Sequence, residues 1–344
     1  MKLAAFGEIM MRFSPSDPGE RLFTSNEFKA QPGGSEANVA VALSSLGIKT
    51  SFISKIPRED NSPFSKMVID YFNKYRVETE NIIFDNNRLG LYFTETGISQ
   101  RPSLVFYDRK YSSFSLVRDS DFNWKKIFSG CNWFHSSGIV PAISKGAAEC
   151  LVTAMKGASR RCTVSFDLNY RGKLWDWVED RRNDIPKLMN KICSFCDVIS
   201  GNETDFHDIF RFDASIDYNT IARKIFIKFP RLKYIAISMR DSISATHNKW
   251  SGKLFFRGKQ NKIMQFNSYE YNIDSVVDRV GTGDAFTAGI IFGIEKYNND
   301  FQKIIDFAVA LSCLKHSTRG DSCNFSEKDI LAVIKNKGSG RIVR

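Results

Sequence analysis

The sequence predicts an α/β fold: a mostly parallel central sheet with a small projecting sheet. Two observations carry this. Short apolar strand-like runs alternate with segments whose apolar residues recur at helical spacing. One region, residues 88–116, breaks the alternation with two successive extended segments. The size permits it, since 344 residues with 42% hydrophobic content can bury a substantial core.

In chain order, Lys2–Phe6 is a short apolar opening strand, and Gly33–Leu46 follows as a helix with Ala37, Val41, Ala42 and Leu46 near helical spacing. Arg88–Thr96 and Ser103–Ser115 are the extended pair. Within it Tyr107 and Arg109 stand two residues apart, so their side chains leave the same strand face, and Tyr92 supplies a neighbour from the preceding strand. Such a flap could close over a small substrate. Cys131–Ser137 reads as a buried strand, and Ala148, Leu151, Val152 and Met155 mark a helix ending near Gly157. Thr163–Leu168 and Asp197–Ser200 are strands separated by a helix carrying Ile185, Leu188, Met189 and Ile192. Tyr234–Ser238 repeats the strand pattern. Two late helices carry Ala285, Ala288, Gly289 and Phe292, then Ile304, Ile305, Ala308 and Leu311. The basic, glycine-containing tail from about Lys335 is expected to fray.

No apolar run reaches membrane-spanning length and the start lacks a signal-peptide layout, so the expectation is a cytoplasmic enzyme with no membrane partner. The seven cysteines are scattered and odd in number, against a disulfide framework; Cys193 and Cys196 have redox or zinc spacing but no second ligand pair, and read as structural thiols. The formal charge of +11 favours anionic partners. Its dispersal, without a basic run or a nucleic-acid-binding signature, reads as a solvated basic surface with no nucleic-acid partner. The four histidines form no ligand-spaced pair.

Asp278-Arg-Val-Gly281-Thr-Gly283-Asp284 is the most informative stretch, because it puts a carboxylate at a glycine-rich helix entrance. Amides at a helix N-terminus lack intrahelical acceptors and carry partial positive charge, so Gly281, Thr282 and Gly283 form a potential anion cradle. Asp284 can cap the helix or take a proton from a hydroxyl; alone, the two readings are equally good. A P-loop is absent, a dinucleotide fingerprint fails at Phe286, and protein-kinase elements are missing.

Three further sites have both a structural and a functional reading. Gln31-Pro-Gly33-Gly34 opens the first long helix as a turn and cap, yet Asn38 is a polar residue in an otherwise apolar helix and suggests a substrate-facing role. Phe166-Asp-Leu-Asn169-Tyr-Arg171 lies at a strand end, where open α/β sheets bind ligands; Arg171 offers a planar fork suited to a carboxylate, or is an ordinary surface arginine. Ser200-Gly-Asn202-Glu-Thr-Asp205 is again just past a strand: Asn202 and Asp205 could hold a nucleotide-bound magnesium through water, or simply cap a helix.

Together these segments resemble the PfkB, or ribokinase-like, family of small-molecule kinases over nearly the whole chain. Gly33-Gly34-x-x-x-Asn38-Val-Ala40 with Gly47 matches the start of the family's first signature, and Asp278-x-x-Gly281-x-Gly283-Asp284 matches its second. Asn202-x-x-Asp205 looks like the family's magnesium motif with Asp in the Glu position. Gly7-Glu8, Arg12, Gly90-Leu-Tyr92, Tyr107-Asp-Arg109, Asp167-Leu-Asn169-Tyr-Arg171 and Leu314-Lys-His316 are most similar to its members that act on 2-keto-3-deoxygluconate.

The resemblance implies one kinase domain over residues 1–344, a ribokinase-like three-layer sandwich whose lid strands come from about 11–32 and 88–116. It implies ATP-dependent phosphorylation of a small sugar acid, 2-keto-3-deoxygluconate, with Mg²⁺. Asp284 would be the general base, Gly281–Asp284 the anion hole, and Gly34, Tyr92, Tyr107, Arg109 and Arg171 substrate contacts, with Gly33, Asn38 and Asn169 beside them. Ser200, Asn202, Ser238, Arg240 and His316 would flank the nucleotide. The lid edges are expected to pair subunits into a homo-oligomer. Departures are the first signature's downstream glycine, lost in the Ile56–Asn61 region, and Arg240 where many relatives carry glycine. The alternatives are a fructose, ribose or nucleoside kinase of the same family, and a non-catalytic sensor on the same fold.

Overall fold

A computed structural model describes residues 1–213 and 215–338. Its strands are β1 (Lys2–Phe6), β2 (Met10–Pro15), β3 (Phe28–Gly33), β4 (Lys49–Pro57), β5 (Glu78–Asp85), β6 (Gly90–Glu95), β7 (Leu104–Asp108), β8 (Trp133–Ser137), β9 (Thr163–Asp167), β10 (Val198–Asn202), β11 (Tyr234–Ser242), β12 (Asn248–Arg257), β13 (Ile263–Asn267) and β14 (Tyr271–Ile273). The main sheet runs β13-β12-β11-β10-β9-β8-β1-β4-β5, with β14 on β12. From β11 to β5 all neighbours pair in parallel; β12 and its partners are antiparallel. The second sheet, β3-β2-β6-β7, is separate. The architecture is therefore α/β with a mostly parallel central sheet and a small sheet, as the alternation of segments and its one interruption lead one to expect, and it agrees with the ribokinase-like fold that the resemblance implies.

Alternation along each central strand divides the core in two. Ala4 and Phe6 join one apolar cluster and Leu3 and Ala5 the other; Ile235 and Ile237 oppose Ala236 in the same way. Helices Lys145–Ala158, Arg181–Cys193 and Tyr218–Lys228 cover the first face. Ser35–Ser45, Thr282–Tyr297 and Phe301–Lys315 cover the second. Both faces are covered, which is why the central strands read as near-continuous apolar runs. Cys193 and Cys196 are fully buried in the first cluster, where burial pushes both thiols up. Among the described residues no helix is long and apolar enough to cross a membrane.

Two expectations need correction. The second extended segment stops at Asp108; beyond it the chain turns at Tyr111, whose φ is +57°, and Ser112 donates its amide to the Arg109 carbonyl. Ser112 is thereby drawn inward, where its hydroxyl donates to Glu8 Oε1 at 2.6 Å. At the other end, Lys335 belongs to an ordered helix, Glu327–Asn336, opened by a Ser326–Asp329 capping box and closed by Lys337 in the left-handed region. The rest of the expected tail, 339–344, lies outside the described residues.

Helix Thr282–Tyr297 is placed by its contact with Phe301–Lys315. The contact needs Gly289: a Cβ there would lie 2.5 Å from Ala308 Cα, a backbone atom that cannot swing aside. Gly289→Ala is expected to lose about 1–3 kcal/mol of stability from overpacking, outweighing the roughly 1 kcal/mol gain in helix propensity. Denaturant unfolding of the two proteins measures the difference.

Candidate active site

The strand ends and the small sheet enclose a cavity of about 690 Å³. Helix Thr282–Tyr297 enters it at its N-terminus, following Gly281 with φ +84°. A Cβ on Gly281 would meet the Asp321 carbonyl oxygen at 2.0 Å, so both dihedral and space require glycine there. Among the described residues the amides of Gly281, Gly283 and Asp284 have no hydrogen-bond acceptor, whereas Thr282 turns its amide to the Arg279 carbonyl at 3.3 Å. Three amides of this turn, rather than the Thr282 amide, are thus free for an anion.

Asp284 is held at the base of the cavity. Its Oδ1 accepts from Ser35 Oγ at 2.6 Å and its Oδ2 from Asn38 Nδ2 at 2.7 Å. Asn169, in the left-handed region at φ +33°, donates to Ser35 Oγ at 3.0 Å and so aims that hydroxyl's proton at Asp284. Burial raises the Asp284 pKa, and the two hydrogen bonds oppose the rise. The side chain does not act as a helix cap; its oxygens face Ser35 and Asn38 on the neighbouring helix. Helix Ser35–Ser45 can supply them because Ser35 to Leu43 are all buried, polar residues included.

Tyr92 and Tyr107 stack with centroids 6.1 Å apart, and the Arg109 guanidinium lies over Tyr107 at 5.5 Å. Arg109 is also ion-paired with buried Glu8. Arg171, by contrast, lines the cavity without an ion-pair partner among the described residues. Asn202 and Asp205 form a reciprocal cap on helix Glu203–Phe210, each bond 3.0 Å, while Asp205 Oδ1 takes the Tyr170 amide at 3.0 Å. The capping arrangement is therefore realised, and both residues also line the cavity.

Of the residues singled out from sequence, Gly34, Asn38, Tyr92, Tyr107, Arg109, Asn169, Arg171, Asn202, Asp205, Ser238, Arg240, Gly281, Thr282, Gly283 and Asp284 share this one wall. Gly33, Ser200 and His316 do not reach it. Gly33 makes room for Tyr92, whose hydroxyl would be 2.0 Å from a Cβ there. Ser200 bonds Thr287 at 2.8 Å, tying β10 to the Asp284 helix. His316 is buried edge-on against Trp250, and its Nδ1 bonds the Ser312 carbonyl at 2.8 Å; Trp250 is the side chain that faces the cavity.

Sequence reasoning passed over several wall residues. Ser35 and Glu36 carry the signal that identified Asn38, a polar side chain on an apolar helix, and could have been found with it. Asp167 and Arg279 lie inside the quoted motifs. Trp250 and Asp321 have no local signal. Asp167 forms no side-chain hydrogen bond among the described residues, and burial, then Asp205 and Asp284, push its pKa up. Glu36 Oε1 accepts from Ser137 Oγ at 2.5 Å; burial drives its pKa to about 7, against the Ser137 bond.

Residues 1–226 match the pfkB family carbohydrate kinases; the Asp278–Asp284 stretch lies beyond that match. Whole-chain similarity extends through it. The 2-dehydro-3-deoxygluconokinase of Thermotoga maritima is 38% identical, covers 97% of this chain and 98% of its own, and superposes with a TM-score of 0.90. A PfkB family carbohydrate kinase from Listeria grayi is 30% identical, with 97% and 100% covered and a TM-score of 0.89. The 2-dehydro-3-deoxygalactonokinase of Haloferax volcanii is 28% identical over 98% of each chain.

Glu36 makes stability depend on pH. Folded, it keeps its proton to about pH 7; unfolded, it releases it near 4.5. Between these values the unfolded chain binds fewer protons, so stability falls as pH rises from about 4.5 to 7 and changes no further above that, a loss of roughly 3 kcal/mol. Glu36→Gln removes the titration. Thermal melts at about pH 5 and about pH 8 should differ less in the variant than in the parent protein.

Proposed function

The chain belongs to the pfkB family of carbohydrate kinases, and from that premise we propose that it transfers the γ-phosphoryl group of ATP to the terminal hydroxyl of 2-keto-3-deoxygluconate, also called 2-dehydro-3-deoxygluconate. The observation that carries this reading is Arg171, an exposed cationic fork on the wall of the Asp284 cavity that makes no ion pair among the described residues, although Asp167, Asp205 and Asp284 feel its charge. A sugar acid can take that fork in two-pronged geometry through its carboxylate, a contact that a neutral sugar cannot make. Arg109, already neutralised by Glu8, positions Tyr107 and keeps its remaining N–H groups for the substrate.

Asp284 takes the proton of the substrate hydroxyl, and the oxygen forms its new bond to the γ-phosphorus as the bond to the departing ADP breaks. Burial helps here: a carboxylate with a raised pKa is a better proton acceptor near neutral pH. Ser35 and Asn38 keep the base aimed, and the free amides of Gly281, Gly283 and Asp284 receive the charge on the transferring group. The small sheet serves as the lid, since Tyr92 and Tyr107 bring its inner face to the same cavity.

For magnesium, the available donors are hard oxygens. Asp167, whose carboxylate makes no hydrogen bond among the described residues, with Asp205 and Asn202 nearby, fits a nucleotide-borne cation reached through water. When bound, the ion would neutralise charge on the polyphosphate.

A coupled assay across 2-keto-3-deoxygluconate, its galactonate epimer, fructose and ribose tests the substrate; preference for a neutral sugar overturns the reading. Asp284→Asn should lower turnover ~10²–10⁴-fold, measured under saturating substrates. Arg171→Ala should raise KM for the sugar acid about 10- to 100-fold, the scale of a charge-assisted hydrogen bond, with KM for ATP little changed.

A further inference from the structure

Arg171, Arg240 and Arg279 converge on the cavity, and among the described residues none is ion-paired. Arg279 gives one N–H to the Ala245 carbonyl, but its Nε is buried with no hydrogen-bond partner among the described residues. Arg240 makes no side-chain hydrogen bond among the described residues. Burial lowers the pKa of both, and each feels a like charge: Arg171 acts on Arg240, and Arg240 on Arg279. The nearest opposing charges are weak remedies. Glu203 acts on Arg240 only at a distance, and Asp278 near Arg279 is already bound to Arg12 at 2.7 Å.

Arg171 and Arg240 are exposed to the open cavity and Arg279 is half-buried, so the cluster carries the mutual repulsion of like charges, which an entering anion relieves, and its charge sets what that anion must be. One substrate carboxylate satisfies one guanidinium in forked geometry, and Arg171 takes it. Two guanidiniums remain. Arg279 lies two residues before Gly281, and Arg240 follows Ser238 on β11, so both stand where the free amides of the Asp284 turn open to the cavity. A ligand spanning these groups carries several negative charges in a chain.

We infer that Arg240 and Arg279 form a clamp for the donor's polyphosphate, gripping the phosphate chain as an ionic ligand independently of the nucleoside. The clamp rests on the kinase reading above for the identity of its ligand, and neither arginine is needed there for proton transfer. It follows that inorganic triphosphate alone binds this site.

The test is calorimetric titration of the whole chain with inorganic triphosphate, divalent metals chelated. Triphosphate should bind and displace ADP competitively. Arg240→Gln and Arg279→Gln should each weaken triphosphate binding about 10- to 100-fold, while adenosine affinity changes less than about twofold and circular dichroism confirms folding. Arg→Lys at either position should restore part of the loss. Failure of triphosphate to displace ADP from the parent protein, a measurement that needs no variant, overturns the clamp; so does unchanged triphosphate affinity in both folded Gln variants. Sugar-acid phosphorylation that persists alongside either failure removes the clamp and leaves the kinase reading. Arginine-dependent triphosphate binding without turnover on any sugar does the reverse.

Discussion

Arg12 ties the small sheet to the turns before and after the two late helices, and the geometry of the cavity depends on that joint. Its guanidinium, 2% exposed, reaches from β2 to Asp278 at 2.7 Å and Asp321 at 2.6 Å and donates Nε to Thr94 at 2.8 Å. Burial opposes its charge, and Asp321 and Asp278 more than restore it, leaving its pKa raised. Two carboxylates and a guanidinium out of water are tolerated only as a fully paired set. The set is closed: Asp278 also accepts the Gly320 and Val280 amides, each at 3.0 Å, and Asp321 accepts the Tyr92 hydroxyl. Lys315, wholly buried, lies behind it and donates to the Asp278 and Thr318 carbonyls.

The joint acts directly on the anion-binding turn. Asp278 begins that turn, and the Asp321 carbonyl is the atom that leaves no room for a Cβ on Gly281. A shift of β2 would therefore move both the free amides of Gly281–Asp284 and the cavity-facing Tyr92. Positioning of the reacting groups and attachment of the small sheet are one interaction.

The same cavity concentrates ionisable groups whose burial works against their charge. Glu36, Asp167 and Asp284 are pushed towards the neutral acid, and Arg240 and Arg279 away from full charge. Burial acts the same way on His135, Asp306 and Lys315 away from the cavity, but only singly. Stability given up in one cavity marks a site kept for chemistry and binding.

The sequence by itself determined what depends on neighbours along the chain. The periods of β1, β8, β9 and β10 and of the buried helices are local steric facts, so the α/β class was legible. The helix entrance at Gly281–Asp284 was legible too, because glycine dihedrals and free amides are properties of a few consecutive residues. Only the tertiary structure decided how Asp284 is held. Its two oxygens are oriented by Ser35 and Asn38, some 250 positions away, and no spacing rule encodes so distant a contact. The tertiary structure likewise gave Arg109 to Glu8, left Arg171 without an ion pair among the described residues, and turned His316 inward behind Trp250. Charge pairing and burial are set by packing between segments, and packing decides which motif residues meet a ligand and which hold the fold.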